Sequence, residues 1–247
     1  MVVLVPYCGS PPLPGALLTR FNWDPVLITA LLVLAAIHIA WQPERARRTY
    51  AACGWGIAAF ALISPLCALS VSLFSARVAQ HMILILAAAP LLALALPGAS
   101  PRFARARLWS ACSIFFVALW FWHMPRPYDA TFASTFVYWT MHVTLFGSAV
   151  LLWRELLQNG HQHTVDVLTA GALTSMQMGM LGAVLTMAAR PLFFWHLTTT
   201  QAWGLTPLED QQLGGVFMWV PGIALFLWAA LRSLERLRCS LEDPKGA

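Results

Sequence analysis

His81, His123 and His142 are the side chains of this sequence best suited to hold a metal, and each adjoins a methionine: Met82, Met124 and Met141. Imidazole nitrogen binds copper, zinc, iron and haem, and thioether sulfur favours Cu(I) over harder ions. Three imidazoles with methionines beside them therefore suggest a soft monovalent ion, with Met82, Met124 or Met218 supplying sulfur. Adjacent residues on a helix point about 100° apart, so His81 and Met82 need not ligate one ion. Met176, Met180 and Met187 fall within about 40° of one another on a helix, the pattern of a stripe that ordinarily packs in a core. Gln211, Gly215 and Met218 share a second face. The plain alternative for each histidine is a hydrogen bond to a neighbouring helix.

The charged candidates are few. Asp210 opens the last apolar run, where the helix N-terminus favours a carboxylate. It serves either as an ordinary cap or, with Gln211, as the outer shell of a ligand site. Arg77 lies one turn before His81. It could pair with Asp210 or Asp129, and its charge disfavours a metal immediately beside it. His38 reads as a packing residue, His161 and His163 as part of a solvated loop, and His196 as a further ligand from an outer loop. There is no HExxH, no GxSxG and no phosphate loop, so catalysis has no positive support.

These residues are carried by apolar runs. Of 247 residues, 59% are hydrophobic and 10% charged, whereas a soluble domain carries roughly 25% charge. Seven runs of membrane-spanning length are expected, near Pro25–Trp41, Tyr50–Val71, Val78–Pro97, Leu108–Met124, Phe136–Leu157, Val165–Ala189 and Leu213–Leu231. Alternation is absent, so the strands of a barrel are not expected. Pro65, Pro90 and Pro221 sit inside runs and predict kinks. The fold expected is an all-α polytopic bundle, with an extracytoplasmic tail over 1–24, a seven-helix domain over 25–231 and a cytoplasmic tail over 232–247.

Charge sets the orientation. Alternate connections and the carboxy-terminal tail hold eleven basic residues, from Arg45, Arg47 and Arg48 through Arg102, Arg105, Arg107 and Arg154 to Arg232, Arg236, Arg238 and Lys245; the other side holds four. That bias puts the first group in the cytoplasm and the amino terminus outside. The three histidines then lie in the outer half of the membrane, with His142 about two turns, roughly 10 Å, below the start of its span. The basic residues sit in short clusters that serve orientation, so nucleic acid is not an expected partner. The five cysteines are scattered without a CxxC and read as small buried hydrophobes. The first twenty residues lack a basic n-region and a small-residue cleavage site, so no cleaved signal peptide is expected.

Four blocks resemble the multi-span CtaG family of cytochrome c oxidase assembly factors: AQHMILILAAAPLLALALP (Ala79–Pro97), FWHMPRPYDATF (Phe121–Phe132), MHVTLFGSAVLLW (Met141–Trp153) and WGLTPLEDQQLGGVFMWVPG (Trp203–Gly222). The resemblance implies a bacterial plasma-membrane protein that helps copper reach a haem–copper oxidase. Its partners would be oxidase subunits, the lipid bilayer and a periplasmic copper donor. The family's motifs map onto His81, Met82, His123, His142, Asp210, Gln211 and Met218. One departure stands out: where family members often carry a second histidine four residues before His81, this chain has Arg77. Two readings compete with copper delivery, a membrane haem protein with two of these histidines as axial ligands and a metal-free scaffold for oxidase subunits. A transporter is less well supported, because no paired carboxylates lie mid-membrane.

Overall fold

The structure is a computed structural model that describes residues 5–98, 102–158 and 164–242; His161, His163 and Lys245 fall outside them. Ten α-helices are present among the described residues: α1 (Pro25–Ala40), α2 (Arg45–Ile63), α3 (Pro65–Ser72), α4 (Phe74–Met82), α5 (Ala89–Ala95), α6 (Ala104–Trp122), α7 (Pro125–Ala133), α8 (Thr135–Gln158), α9 (Thr164–Met187) and α10 (Pro207–Glu242). A π-helical turn, Ile83–Ala88, joins α4 to α5, so that Phe74–Ala95 forms one span. Five helices are long and apolar enough to cross a membrane: Phe74–Ala95, α6, α8, α9 and the Pro207–Ala229 part of α10. A sixth follows if α2 and α3, bent by 49° at their junction, count as one. The first apolar run forms a helix of only 16 residues, about 24 Å against a hydrocarbon core of about 30 Å. The chain is thus an all-α, multi-pass membrane bundle. The last helix continues through 232–242, where a tail was expected.

The prolines do more than kink. Ser64 caps α3 by accepting from the Leu66 N–H at 3.3 Å, and Pro65 begins the new helix. Proline has no N–H for the carbonyl four residues back, which leaves Ala61 without its helical partner. The side-chain amide of Gln80 supplies one at 2.8 Å. Asn22 answers the next carbonyls, its backbone N–H bonding Ile63 at 2.8 Å and its amide bonding Leu62 at 3.4 Å. Pro90 repeats the problem one span later. In a π-turn its missing N–H would have faced the carbonyl five residues back, which is Ile85, and the Trp153 indole donates to that oxygen at 2.8 Å. Two buried polar side chains of this membrane protein are therefore replacements for proline N–H groups, as a bilayer interior requires.

The core is one large apolar cluster and one small one. The large one includes Phe74, Met82, Phe115, Tyr128, Phe132, Tyr138, Met141, Trp153, Met178, Met218 and Phe226. The small one joins α1 and α2 to the π-turn through Leu27, Ala58, Leu62 and Leu84. The bundle has a basic end. There Arg105 pairs with Asp166 at 3.2 Å and Arg107 with Glu155 at 3.3 Å, while Arg47 and Arg154 donate to the carbonyls of Leu96 and Pro97. At the opposite end the segment between α9 and α10 folds over the bundle through two short 3₁₀ turns. Its Trp195 stacks on Phe132 at 4.4 Å and donates to the Val71 carbonyl at 2.9 Å.

Two sequence expectations are corrected. Cys8 and Cys67 are not inert apolar residues but form a disulfide, which ties the N-terminal segment to α3; Cys53 is exposed. Nothing in their spacing, 59 residues apart with no motif, marks them as a pair. The stripe of Met176, Met180 and Met187 is not core either: these side chains are 62%, 50% and 82% exposed, on the outward face of α9.

Candidate functional site

The helix starting at Phe74 brings Arg77, Gln80, His81 and Met82 into the bundle, all of them buried. A break makes this possible. Leu73 is extended, with φ −125° and ψ 132°, so α3 stops and α4 begins with unpaired N–H groups inside the protein. The Asp210 carboxylate takes them. It accepts from the Phe74 N–H at 2.6 Å, from the Ser75 N–H at 3.1 Å and from the Ser75 hydroxyl. Asp210 therefore caps α4 rather than its own helix. The cap of α10 is Thr206 with Glu209, a reciprocal capping box in which the Thr206 N–H reaches the Glu209 carboxylate at 2.8 Å and the Glu209 N–H reaches the Thr206 hydroxyl at 3.2 Å. Gln211 bonds the Leu192 N–H at 2.7 Å and the Leu185 carbonyl at 3.1 Å. Gly214 and Gly215 let α10 approach this closely. A Cβ on Gly214 would lie 2.6 Å from the Phe74 ring, and one on Gly215 would lie 2.3 Å from the Thr186 hydroxyl and 2.7 Å from the Gly182 carbonyl.

Arg77 pairs with neither Asp210 nor Asp129, which corrects the expected ion pair. Its Nη1 donates to the Thr131 hydroxyl at 2.6 Å. Its guanidinium lies 3.9 Å from the centre of the Phe132 ring and 5.3 and 5.8 Å from those of Tyr128 and Tyr138, so cation–π attraction stands in for a carboxylate. Its Nε has no partner. Asp129 instead accepts from the Trp195 N–H, and burial pushes its carboxyl above the usual range.

The three histidines come together from three helices. The His81 ring lies 5.3 Å from that of His142 and 6.0 Å from that of His123, and all three side chains are buried. Nδ1 of His123 bonds the Leu119 carbonyl at 2.7 Å, and Nδ1 of His142 bonds the Tyr138 carbonyl at 3.0 Å. A carbonyl only accepts, so in both rings Nδ1 carries the proton and Nε2 presents its lone pair. Nε2 of His142 has no partner, and His81 has none at either nitrogen. Two imidazoles on one ion, with metal–nitrogen bonds of about 2 Å, have ring centres no more than about 6 Å apart, so both separations admit a shared ion. The rings are nonetheless not converged: among the described residues no three His, Cys, Asp or Glu side chains are disposed to hold a metal as they stand.

The sulfur candidates divide. Met82 and Met218 are buried in the large cluster, and Met141 beside His142 is there too. Met124 is half exposed at the start of α7. His196 is a structural residue: Nε2 bonds the Tyr128 hydroxyl at 2.7 Å, and Nδ1 lies 3.3 Å from both the Ser72 carbonyl and the Thr199 hydroxyl. Burial, and then the charge of Arg77, lowers its pKa to about 3. His38 accepts from the Trp55 indole at 3.2 Å.

The arrangement defines a class: a multi-pass helical membrane protein with a buried, under-bonded imidazole cluster near the end opposite its basic surface. Residues 28–238 match the family model described as cytochrome c oxidase caa3 assembly factor (Caa3_CtaG), and the chain belongs to that family. Its role is in cytochrome oxidase assembly, and it is not an enzyme. No curated protein and no solved structure matches the chain.

Proposed function

We propose that this protein delivers Cu(I) to a haem–copper oxidase from the outer face of the bacterial plasma membrane. In this reading the disulfide-bearing end is extracytoplasmic, because disulfides persist in oxidising compartments, and the basic end is cytoplasmic. The short α1 crosses as well and the bent α2–α3 pair counts as one, giving seven spans with the amino terminus outside. Nitrogen ligands come from His81, His123 and His142 after ring rotation. Met82 or Met218 supplies sulfur, and Met124 meets the incoming or departing ion. Oxidase subunits receive it, and a periplasmic donor supplies it.

One observation carries the reading. Two rings, His123 and His142, fix their protons on backbone carbonyls, which leaves the lone pair of each on Nε2, and both lie beside His81, which has no partner at either nitrogen. A membrane interior penalises unpaired polar groups, and backbone carbonyls that fix the tautomer are the usual second shell of metal-bound histidine. Arg77, one turn or about 6 Å along the helix from His81, favours an ion of low charge, as Cu(I) on neutral ligands is. Asp210 and Gln211 act at a remove, by holding α4 and its approach to α10.

The test is metal analysis of the detergent-purified protein under reducing conditions, wild type beside His81→Ala. One equivalent of copper present in wild type and lost in the variant supports delivery; a Soret band in a copper-free protein selects haem ligation instead. The scaffold reading is favoured by rings that are near but not converged. It prevails if His81→Ala, His123→Ala and His142→Ala all leave oxidase copper intact.

A further inference from the structure

Cys8 and Cys67 meet beside Tyr138. The hydroxyl of this buried tyrosine lies within hydrogen-bond reach of both sulfurs, Cys8 at 3.4 Å and Cys67 at 3.8 Å, with the Gln80 side chain beside it. The Asn22 amide donates to the Cys67 sulfur as well, at 3.6 Å. A neutral disulfide sulfur is a poor acceptor, whereas a thiolate is a strong one. Donors aimed at both sulfurs inside a membrane protein therefore suit the reduced pair better than the oxidised one. The same tyrosine is the wall of the imidazole cluster: its ring packs 4.3 Å from that of His142, and its carbonyl fixes the His142 tautomer. Tyr7, next to Cys8, stacks on Tyr138 at 4.8 Å and shares with His142 the lining of an apolar cavity of about 360 Å³. Cys8 is half-buried and approachable, while Cys67 is 1% exposed.

We propose that Cys8 and Cys67 form a redox-switched two-sulfur site for Cu(I), separate from the imidazole cluster and joined to it through Tyr138. This rests on Cu(I) being the cargo, as proposed above. A dithiol outside the membrane opens the site. One of its thiolates attacks Cys8 Sγ, the Cys8–Cys67 bond breaks, and Cys67 leaves as a thiolate stabilised by Asn22 and Tyr138. The second thiol of the reductant then displaces Cys8. The dithiol ends as a disulfide, and its two electrons and two protons reside on the cysteines. Cu(I), a soft ion that binds thiolate, then bridges the two sulfurs and releases both protons. Reduction also frees the segment that holds Tyr7 against Tyr138, which opens the way toward His142.

The test uses the full chain in detergent, either as isolated in air or after a phosphine reductant. Each form is titrated anaerobically with Cu(I) against a chromophoric chelator. The reduced protein is expected to bind one more equivalent than the oxidised protein, with a thiolate-to-copper band in the ultraviolet. Cys8→Ser removes that equivalent, and His81→Ala keeps it. Tyr138→Phe retains the ring and weakens the extra equivalent by about tenfold, and it carries the test if Cys8→Ser does not assemble. Equal stoichiometry in the two redox states overturns the proposal. So does an extra equivalent that survives Cys8→Ser, since Cys53, Cys112 or Cys239 would then be its source. Copper on the oxidised protein reports the imidazole cluster, so loss of that signal alone defeats the delivery reading and leaves the two-sulfur site standing.

Discussion

Two polar regions lie inside this membrane protein, and they are built to opposite rules. From Asp210 to Gly215 every buried polar group has partners. Asp210 receives three donors, and Gln211 bonds at both ends of its amide. Around His81 the reverse holds: both nitrogens of His81, Nε2 of His142, Nε of Arg77 and Oε1 of Gln80 are unpaired. An unpaired buried polar group costs about 1–3 kcal/mol. The first region therefore stabilises the fold, and the second stores unmet bonding capacity within a few ångströms. The contrast separates a structural cluster from a candidate ligand site more sharply than residue type does, because both are rich in residues rarely found in lipid.

The comparison can be broken from either side. Asp210→Ala should have the largest effect, because it strands the Phe74 and Ser75 donors; a loss of about 3–5 kcal/mol is expected, read as a drop in membrane abundance and thermal stability. Asp210→Asn keeps one acceptor and should lose less. Gly215→Leu comes next: its Cβ has no room against Thr186 and Gly182, so α9 and α10 must part, at about 3 kcal/mol. Both variants should lose copper only as far as they lose fold.

Acid should then act on the end opposite the basic surface. His196 stays neutral in the native state down to about pH 3, while the unfolded side chain takes a proton near pH 6.5. The unfolded state thus binds more protons between those values, and stability falls as pH drops through that window, by about 2 kcal/mol at pH 5. Melting curves at pH 7.5 and pH 5 should show this loss in wild type and less of it in His196→Gln. An equal loss in both would assign the acid sensitivity elsewhere.

Arg77→Gln should raise the affinity of the reduced protein for Zn(II) relative to Cu(I) by about tenfold, since one nearby charge repels a divalent ion more than a monovalent one. Competition titration measures the ratio, and no change would mean that the guanidinium is screened from the ion. The smallest effect on stability is expected at the centre of the ligand region. His81→Ala exchanges an unpaired polar ring for a small void, and its melting temperature should stay near that of wild type, within about 1 kcal/mol. The copper equivalent of the imidazole cluster should nonetheless be gone. A large destabilisation by His81→Ala would erase the distinction between the two regions.

Much of the architecture was readable locally. Five of the seven apolar runs are helices long and apolar enough to cross a membrane, with limits within six residues of those expected. Pro65 and Pro90 marked interruptions, and the Thr206–Glu209 spacing carries a capping signal. The three histidines, each placed near one face from its own span, are neighbours. The roles of Gln80, Trp153 and Asp210 were not readable, because each serves the backbone of another helix. Hydrophobic periodicity identifies which face of a helix is apolar, but not which carbonyl a distant proline has orphaned. The cysteine pair escaped notice for the same reason.

By itself, then, the chain determined a basic end and a set of lipid-length helices, since these follow from charge bias and apolar length alone. Tertiary structure alone decided which polar groups are satisfied. That depends on where α10 can approach α4, which two glycines permit, and on donors arriving from helices far apart in sequence. Whether a buried histidine is cement or ligand is a property of its neighbours, and neighbours are what folding supplies.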